Sequence, residues 1–336
     1  MKFIDLPLSA QRDFIRNHSA QTDLPEQVIE KDWWVTAVLR ALFSLPSSQA
    51  TSFKGGTSLS KCWHLISRFS EDIDIAVTRE FLGFVGPLSK TQISDKLRRA
   101  ACSFVREQLQ HQLRDRMIAQ GISDDAFSVE VKITPVTTTD PETIYVHYRS
   151  AFETLPYIAT SVKVEVSGRS MSEPLEVIPL RSMLEDAYPA APFVEEPVNV
   201  ATVRPERTFL EKLCLLHEEF AKQTDLVRVD RMSRHLYDVA MISRTPIADR
   251  ALSDGGLLQA VIDHRRHFIG LKGFDYTTLA PATLSIVPPE PVISLWRDDY
   301  DKMRRDMIYG PAPTFDDLIT EIRQLNQHLR DQKSRT

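Results

Sequence analysis

The chain has little cysteine for its length, three residues among 336, at Cys62, Cys102 and Cys214. They are odd in number, scattered, and none has metal-ligand spacing. That excludes a disulfide framework and a cysteine-built zinc module, and predicts reduced, mostly buried thiols of a cytosolic protein. Long apolar runs are missing as well, so no membrane span is expected. The N-terminus MKFIDLPLSAQRDF lacks the apolar core of a signal peptide. An excess of positive charge is also absent: 41 Lys and Arg stand against 46 Asp and Glu, a net charge of −5. A nucleic-acid partner would therefore need a local patch rather than a basic surface field. There is no internal repeat and no low-complexity tract. What is present is an ordinary globular balance, 42% hydrophobic and 26% charged, which excludes global disorder. The length favours two domains.

Periodicity predicts a helix over residues 24–43, with Pro25 in its first turn and Trp34, Val38, Ala41 and Leu42 on one face. Residues 51–54 read as a short strand, 57–67 as a helix with glycines at its start, and 73–77 as a strand. Residues 87–120 read as one long helix. The alternating stretches 127–133 and 161–167, with β-forming 143–149 between them, predict strands packed on one face. Prolines at 174, 179, 189, 192 and 197 mark connections, and a domain junction is placed near 200. Beyond it the chain reads as helical, with Phe209, Leu210, Leu213, Leu216 and Phe220 in one stripe. A C-terminal helix is capped by Thr314, carries Asp316 and Asp317 in its first turn, and presents Phe315, Leu318, Ile322, Leu325 and Leu329 on one face. The expected architecture is α+β (α/β): residues 1–200 as a domain with a mixed sheet flanked by helices, and 201–336 as a mainly helical domain.

The stretch KGGTSLSKCWHLISRFSEDIDIAV, residues 54–77, concentrates the chemistry. On a strand Asp72 and Asp74 point to the same face. Two adjacent carboxylates repel and are costly to desolvate. A divalent cation relieves both costs, and Mg²⁺ prefers hard oxygen ligands shared with substrate phosphates. Upstream, Gly55 and Gly56 open a helix whose backbone N–H groups and positive dipole end suit a phosphate, with Thr57 and Ser58 as added hydroxyl donors. Each half alone is weak, since an Asp-x-Asp is commonly a solvated strand end and a Gly-Gly-Thr a helix cap. Their order and separation together point to a metal–nucleotide site.

Gly55-Gly56-Thr57-Ser58 followed by Arg68-Phe69-Ser70-Glu71-Asp72-Ile73-Asp74 resembles the AbiEii/AbiGii-type nucleotidyltransferase toxins, which include the MenT toxins and belong to the DNA polymerase β-like nucleotidyltransferase superfamily. Glu30-Lys31-Asp32-Trp33-Trp34 looks like the same family, and the resemblance covers roughly residues 20–245. It implies a third carboxylate on a later strand. Glu165 is the choice and Glu130 the rival, while many family members have Asp there; the plain alternative is the exposed face of an alternating strand. It implies that Lys212, in Thr208-Phe-Leu-Glu-Lys-Leu213, reaches the triphosphate; Thr208-x-x-Glu211 could equally be a capping box. It implies roles for Arg234 toward phosphate and for Asp238 toward Lys212 or the nucleotide, against a surface ion pair four residues apart. Ser70 joins the nucleotide-binding candidates.

The resulting expectation is a Mg²⁺-dependent nucleotidyltransferase toxin. Asp72, Asp74 and Glu165 hold the metal, and Gly55, Gly56, Thr57, Ser58 and Lys212 hold the NTP. By the resemblance the acceptor is the tRNA 3′ end, and an antitoxin is the natural protein partner. Two other classes stay open: an enzyme of the same fold acting on a protein or small molecule, and a non-catalytic nucleotide- or RNA-binding module. The intact Asp72/Asp74 pair speaks against the latter. A ribonuclease built on Arg228 to His235 lacks independent support. Arg228, Arg231, Arg234, Arg265 and Arg266 are the arginines available to RNA, with scattered solvated residues as the plain alternative.

Overall fold

A computed structural model describes residues 1–133, 142–153 and 159–331. The chain forms two compact units. One comprises Met1–Cys62 and Phe69–Val203, the other Trp63–Arg68 and Arg204–Thr336. The six residues just upstream of Phe69 thus belong with the C-terminal part of the chain.

The first unit is built on seven strands: β1 (Thr51–Lys54), β2 (Asp72–Val77), β3 (Phe127–Lys132), β4 (Glu142–Tyr148), β5 (Ser161–Ser167), β6 (Leu175–Leu180) and β7 (Val198–Val203). They form one mixed sheet in the order β3-β4-β5-β2-β1-β7-β6. β2 runs parallel to β5 and β1 parallel to β7, while the other neighbours are antiparallel. Alternation sorts each central strand into two faces. Ile73 and Ile75 of β2 lie in register with Val164 and Val166 of β5, and all four are buried. Each such side chain contributes about 1.5–3 kcal/mol by leaving water. That face is covered by helices: α1 (Leu8–Thr22) leans on α2 (Glu26–Leu42), and α2 packs on β5 beside a helical run over 92–119 that mixes α and wider turns. Trp34 of α2 stacks on Tyr148 of β4 with ring centroids 4.9 Å apart. The opposite face carries the Asp72 and Asp74 side chains.

The helix expected over 57–67 is shorter and earlier. α3 is Gly55–Lys61, a two-turn element, and His64 then adopts a left-handed φ of 51° that no helix continues through. Strands β6 and β7 replace what the prolines suggested was mere connection. β6 is an edge strand, so Pro179 costs no central ladder bond.

The second unit is helical: Pro205–Phe220, Ser233–Ser243, Pro246–Ser253, Gly255–His264, Ile293–Asp306 and Phe315–Asp331. The stripe from Phe209 to Phe220 is buried against the helices that follow it. The first of these helices starts at Pro205, where a missing N–H is harmless. Thr208 and Glu211 therefore lie inside the helix, and the capping box considered for them does not form; Glu211 pairs with Arg207 instead. The last helix is capped as expected. Asp317 N–H donates to Thr314 Oγ1 at 3.2 Å, and Thr314 N–H donates to Asp317 Oδ2 at 3.3 Å. The 63–68 segment is tied into this unit by an antiparallel bridge between Arg68 and Ile308. Tyr309 N–H donates to Ser67 O at 3.3 Å, and Ser67 N–H donates to Tyr237 Oη at 3.3 Å. Among the described residues no helix is long and apolar enough to cross a membrane.

Candidate active site

The register of the first unit's sheet decides which carboxylates can cooperate. Asp72 pairs with Lys163 and Asp74 with Glu165 across parallel β2 and β5. Residues so paired point to one face, which puts Asp72, Asp74, Glu165 and Lys163 together. Glu130 is two strands further out, on β3, where it meets His147 Nε2 at 3.2 Å. The geometry therefore groups Glu165, and not Glu130, with the Asp-x-Asp pair.

Lys163 was not singled out from the sequence, where it reads as one more polar residue of an alternating strand. Its ammonium is hydrogen-bonded to Glu165 and lies 3.8 Å from Asp72 Oδ2. Burial alone would lower the Lys163 pKa, but the hydrogen bond to Glu165 and the charges of Asp72 and Glu165 outweigh it and hold the ammonium above the usual lysine range. Lys54 of β1 lies in register with Asp74 on the other flank, so the row sets three carboxylates beside two lysines.

β1 runs directly into α3, and Gly55 makes the junction at φ 80°. A Cβ at Gly55 would stand 1.9 Å from Asp74 Oδ2. Glycine is required here twice over, for the left-handed backbone and for the close approach of the carboxylate. Gly56 follows as the second residue of α3. Thr57 and Ser58, expected as phosphate donors, are buried and turned inward. Thr57 Oγ1 donates to the Asp72 carbonyl oxygen at 2.5 Å and lies 2.9 Å from Ser70 Oγ. Ser58 Oγ donates to the Gly55 carbonyl oxygen at 2.9 Å. The Thr57 and Ser70 hydroxyls fasten the glycine turn to the start of β2 and the Ser58 hydroxyl closes the turn on itself, which leaves the first backbone N–H groups of α3 as the donors without an intrahelical acceptor.

Three successive charges on α2, Glu30, Lys31 and Asp32, are buried, and each has a distinct partner. Glu30 accepts from Ala151 N–H at 2.6 Å and from Ser150 Oγ at 2.5 Å. Lys31 pairs with Glu71, the residue before Asp72, and donates to Ala159 O at 2.9 Å. Asp32 meets Lys61 Nζ, at the end of α3, at 2.5 Å and accepts from Met183 N–H at 2.7 Å. One turn of helix therefore anchors both limbs of the 55–74 stretch.

The second unit holds a separate, fully buried cluster. Asp238 is inaccessible and receives Arg68 Nε at 2.7 Å and Nη2 at 2.8 Å, a bidentate pair. Lys212 Nζ stands 2.9 Å from Asp238 Oδ2 and 3.2 Å from His235 Nδ1. Burial alone would raise the Asp238 carboxyl, but Arg68 and Lys212 hold it well below the usual carboxylate range. Burial lowers Lys212, Asp238 opposes this, and Arg68 and Arg234 lower it further. His235 is kept neutral by burial and by the Lys212 and Arg234 charges. Asp238 is thus the anchor of Lys212 rather than half of a surface pair, and the sequence reading missed Arg68 as its second partner. Of the arginines considered for RNA, Arg228 is committed to Glu219, Arg265 to Glu218 and Arg266 to Asp263.

Among the described residues no three His, Cys, Asp or Glu side chains are gathered closely enough to hold an ion as they stand. The donor set of Asp72, Asp74 and Glu165 still fits a hard divalent cation in kind. It is all carboxylate oxygen, and its surplus negative charge already draws an ammonium between Asp72 and Glu165.

A family profile described as "Nucleotidyl transferase AbiEii toxin, Type IV TA system" matches residues 37–321. No curated protein matches the chain. Among solved structures, MenT4, a nucleotidyltransferase toxin from Mycobacterium tuberculosis H37Rv, is similar with a TM-score of 0.46 and 16% identity, over 95% of this chain and 99% of that one.

Proposed function

The chain belongs to the AbiEii family of nucleotidyltransferase toxins of type IV toxin–antitoxin systems, and from that premise we propose that it transfers a nucleoside monophosphate from an NTP to an RNA acceptor, the tRNA 3′ end, with Mg²⁺ as cofactor. The family implies a nucleotide substrate and an antitoxin partner. The finer terms, metal, acceptor and site residues, are our reading. We place the reaction in the cytoplasm.

Asp72, Asp74 and Glu165 would hold Mg²⁺, which when bound supplies Lewis-acid charge to the α-phosphate and the leaving pyrophosphate. The acceptor hydroxyl oxygen bonds to the α-phosphorus, the bond to the bridging oxygen breaks, and pyrophosphate leaves with the electron pair. The hydroxyl proton passes to a carboxylate of the row or to solvent. Gly55 and Gly56 let phosphate oxygens approach backbone N–H groups, while Thr57, Ser58 and Ser70 keep that turn in register with Asp72. The roles of Lys212 and Arg234 toward phosphate, with Asp238 orienting Lys212, rest on the family resemblance alone, since within the second unit Lys212 is committed to Asp238 and His235. Positioning and electrostatics carry the rate, since phosphoryl transfer asks little covalent chemistry of the protein.

The observation that carries this reading is the placement of Asp74, in register with Glu165 and against the Cα of Gly55. The test incubates purified protein with Mg²⁺, each labelled NTP and total RNA. Label enters RNA with the native chain and is lost with Asp72→Ala and Asp74→Ala. Label found only in protein, or none with any NTP, overturns the reading.

A further inference from the structure

The open face of the sheet does not end at the carboxylates. Pairing runs Asp72 to Lys163, Lys163 to Tyr145, and Tyr145 to Glu130, one row across β2, β5, β4 and β3. Side-chain exposure rises along it, from 26% at Asp72 and 30% at Lys163 to 70% at Glu130, so this face opens outward from the candidate site. On β4, Tyr145 and His147 project from it two residues apart, as alternation requires. Their rings are stacked, with centroids 5.9 Å apart and planes 14° from parallel. His147 is 45% exposed at its side chain, and Glu130 holds its Nε2 at 3.2 Å. Two flat rings held nearly parallel on a polar, half-open face are a surface for another flat ring.

We propose that Tyr145 and His147 form a stacking platform for the terminal base of the acceptor RNA. The proposal rests on the reading of the acceptor as RNA and adds where that acceptor lies. In-line displacement requires the attacking oxygen opposite the leaving pyrophosphate. The glycine turn that receives phosphate follows β1, on one flank of β2, while β5 and then β4 lie on the other. A pyrophosphate on the β1 side places the acceptor on the β4 side. Adjacent strands are about 4.8 Å apart, so β4 is ~10 Å from β2. That is the reach of one nucleoside, from its ribose hydroxyl at the carboxylates to its base on the rings. Stacking is tolerant of base identity, because every base presents a π-face. The platform thus orients a 3′ end while leaving sequence choice to other contacts.

The test uses the full chain and a short single-stranded RNA ending in 2-aminopurine, whose fluorescence is quenched by stacking. Native protein and Tyr145→Phe quench the probe. Tyr145→Ala, with an unchanged melting temperature and far-ultraviolet spectrum, quenches it weakly and binds about tenfold more loosely. In transfer assays Tyr145→Ala raises the KM for RNA about tenfold, leaves the KM for NTP within about twofold, and is rescued by Tyr145→Trp. No quenching by native protein, unchanged RNA binding in Tyr145→Ala, or a rise in the KM for NTP instead of RNA each overturns the platform. Quenching without any RNA labelling overturns the transfer reading and leaves the platform standing. Labelling that Tyr145→Ala does not disturb does the reverse.

Discussion

Asp72 and Glu165 leave 26% and 27% of their side chains exposed, whereas Asp238 leaves none. The first-unit row has carboxylates in excess of cations and stays partly in water, where repulsion is screened and a ligand can arrive. The Asp238 cluster has cations in excess, with Arg68 and Lys212 on one carboxylate, and is sealed. Charge at an open site, paired only across its rim, is accessible to a ligand. Charge buried among its own partners is tied to folding, because removal of one partner strands the others. The same residue types therefore predict different phenotypes in the two units.

The largest effect is expected in the sealed cluster. Asp238→Ala leaves Arg68 and Lys212 buried without their carboxylate and lowers unfolding stability by about 3–5 kcal/mol, measured by urea titration. A loss under 1 kcal/mol would place the cluster in water and erase the contrast. Next comes Asp74→Ala, which lowers nucleotide transfer at least about a hundredfold while the far-ultraviolet spectrum of the folded chain is kept. Transfer retained with a lowered melting temperature would make the row structural. Glu165→Gln follows, with transfer down at least about tenfold while Glu130→Gln stays within twofold, since only Glu165 lies in register with Asp74. Equal effects at both positions would remove the register argument. The smallest effect is pH-dependent. The folded Asp238 carboxyl lies below its ordinary value near 3.9, so the unfolded chain binds the extra proton. Its contribution is complete above that value and is lost as pH falls through the folded one. An acid titration of stability should be steeper in the native chain than in Asp238→Asn below about pH 4.

Much of the candidate site's geometry was legible because strand alternation is a local rule. Asp72 and Asp74 share a face by spacing alone, and Gly55-Gly56 marks a tight junction by residue type. The strands 127–133, 143–149 and 161–167 were visible in their alternation, and the C-terminal helix in its cap. What was hidden depends on pairing between distant segments. Register alone separates Glu165 from Glu130, and no local pattern encodes it. The inward turn of Thr57 and Ser58 required knowing that the Asp72 carbonyl stands over α3. Lys163 gains meaning only from the strand beside it, and Arg68 only from a helix 170 residues later. Strands β6 and β7 were obscured because prolines report a strand's position in the sheet as readily as its absence.

Residues 63–68 are held by Tyr237, Asp238, Ile308 and Tyr309, yet Asp72 follows only four residues later. During synthesis the segment leaves the ribosome long before those partners exist, and a closure of this sequence separation is slow and entropically costly. A nascent chain that has finished the sheet through Val203 still lacks what secures Arg68. This wiring ties completion of the chain to the fastening of the segment that leads into its carboxylates, so a prematurely terminated product is left with that segment loose.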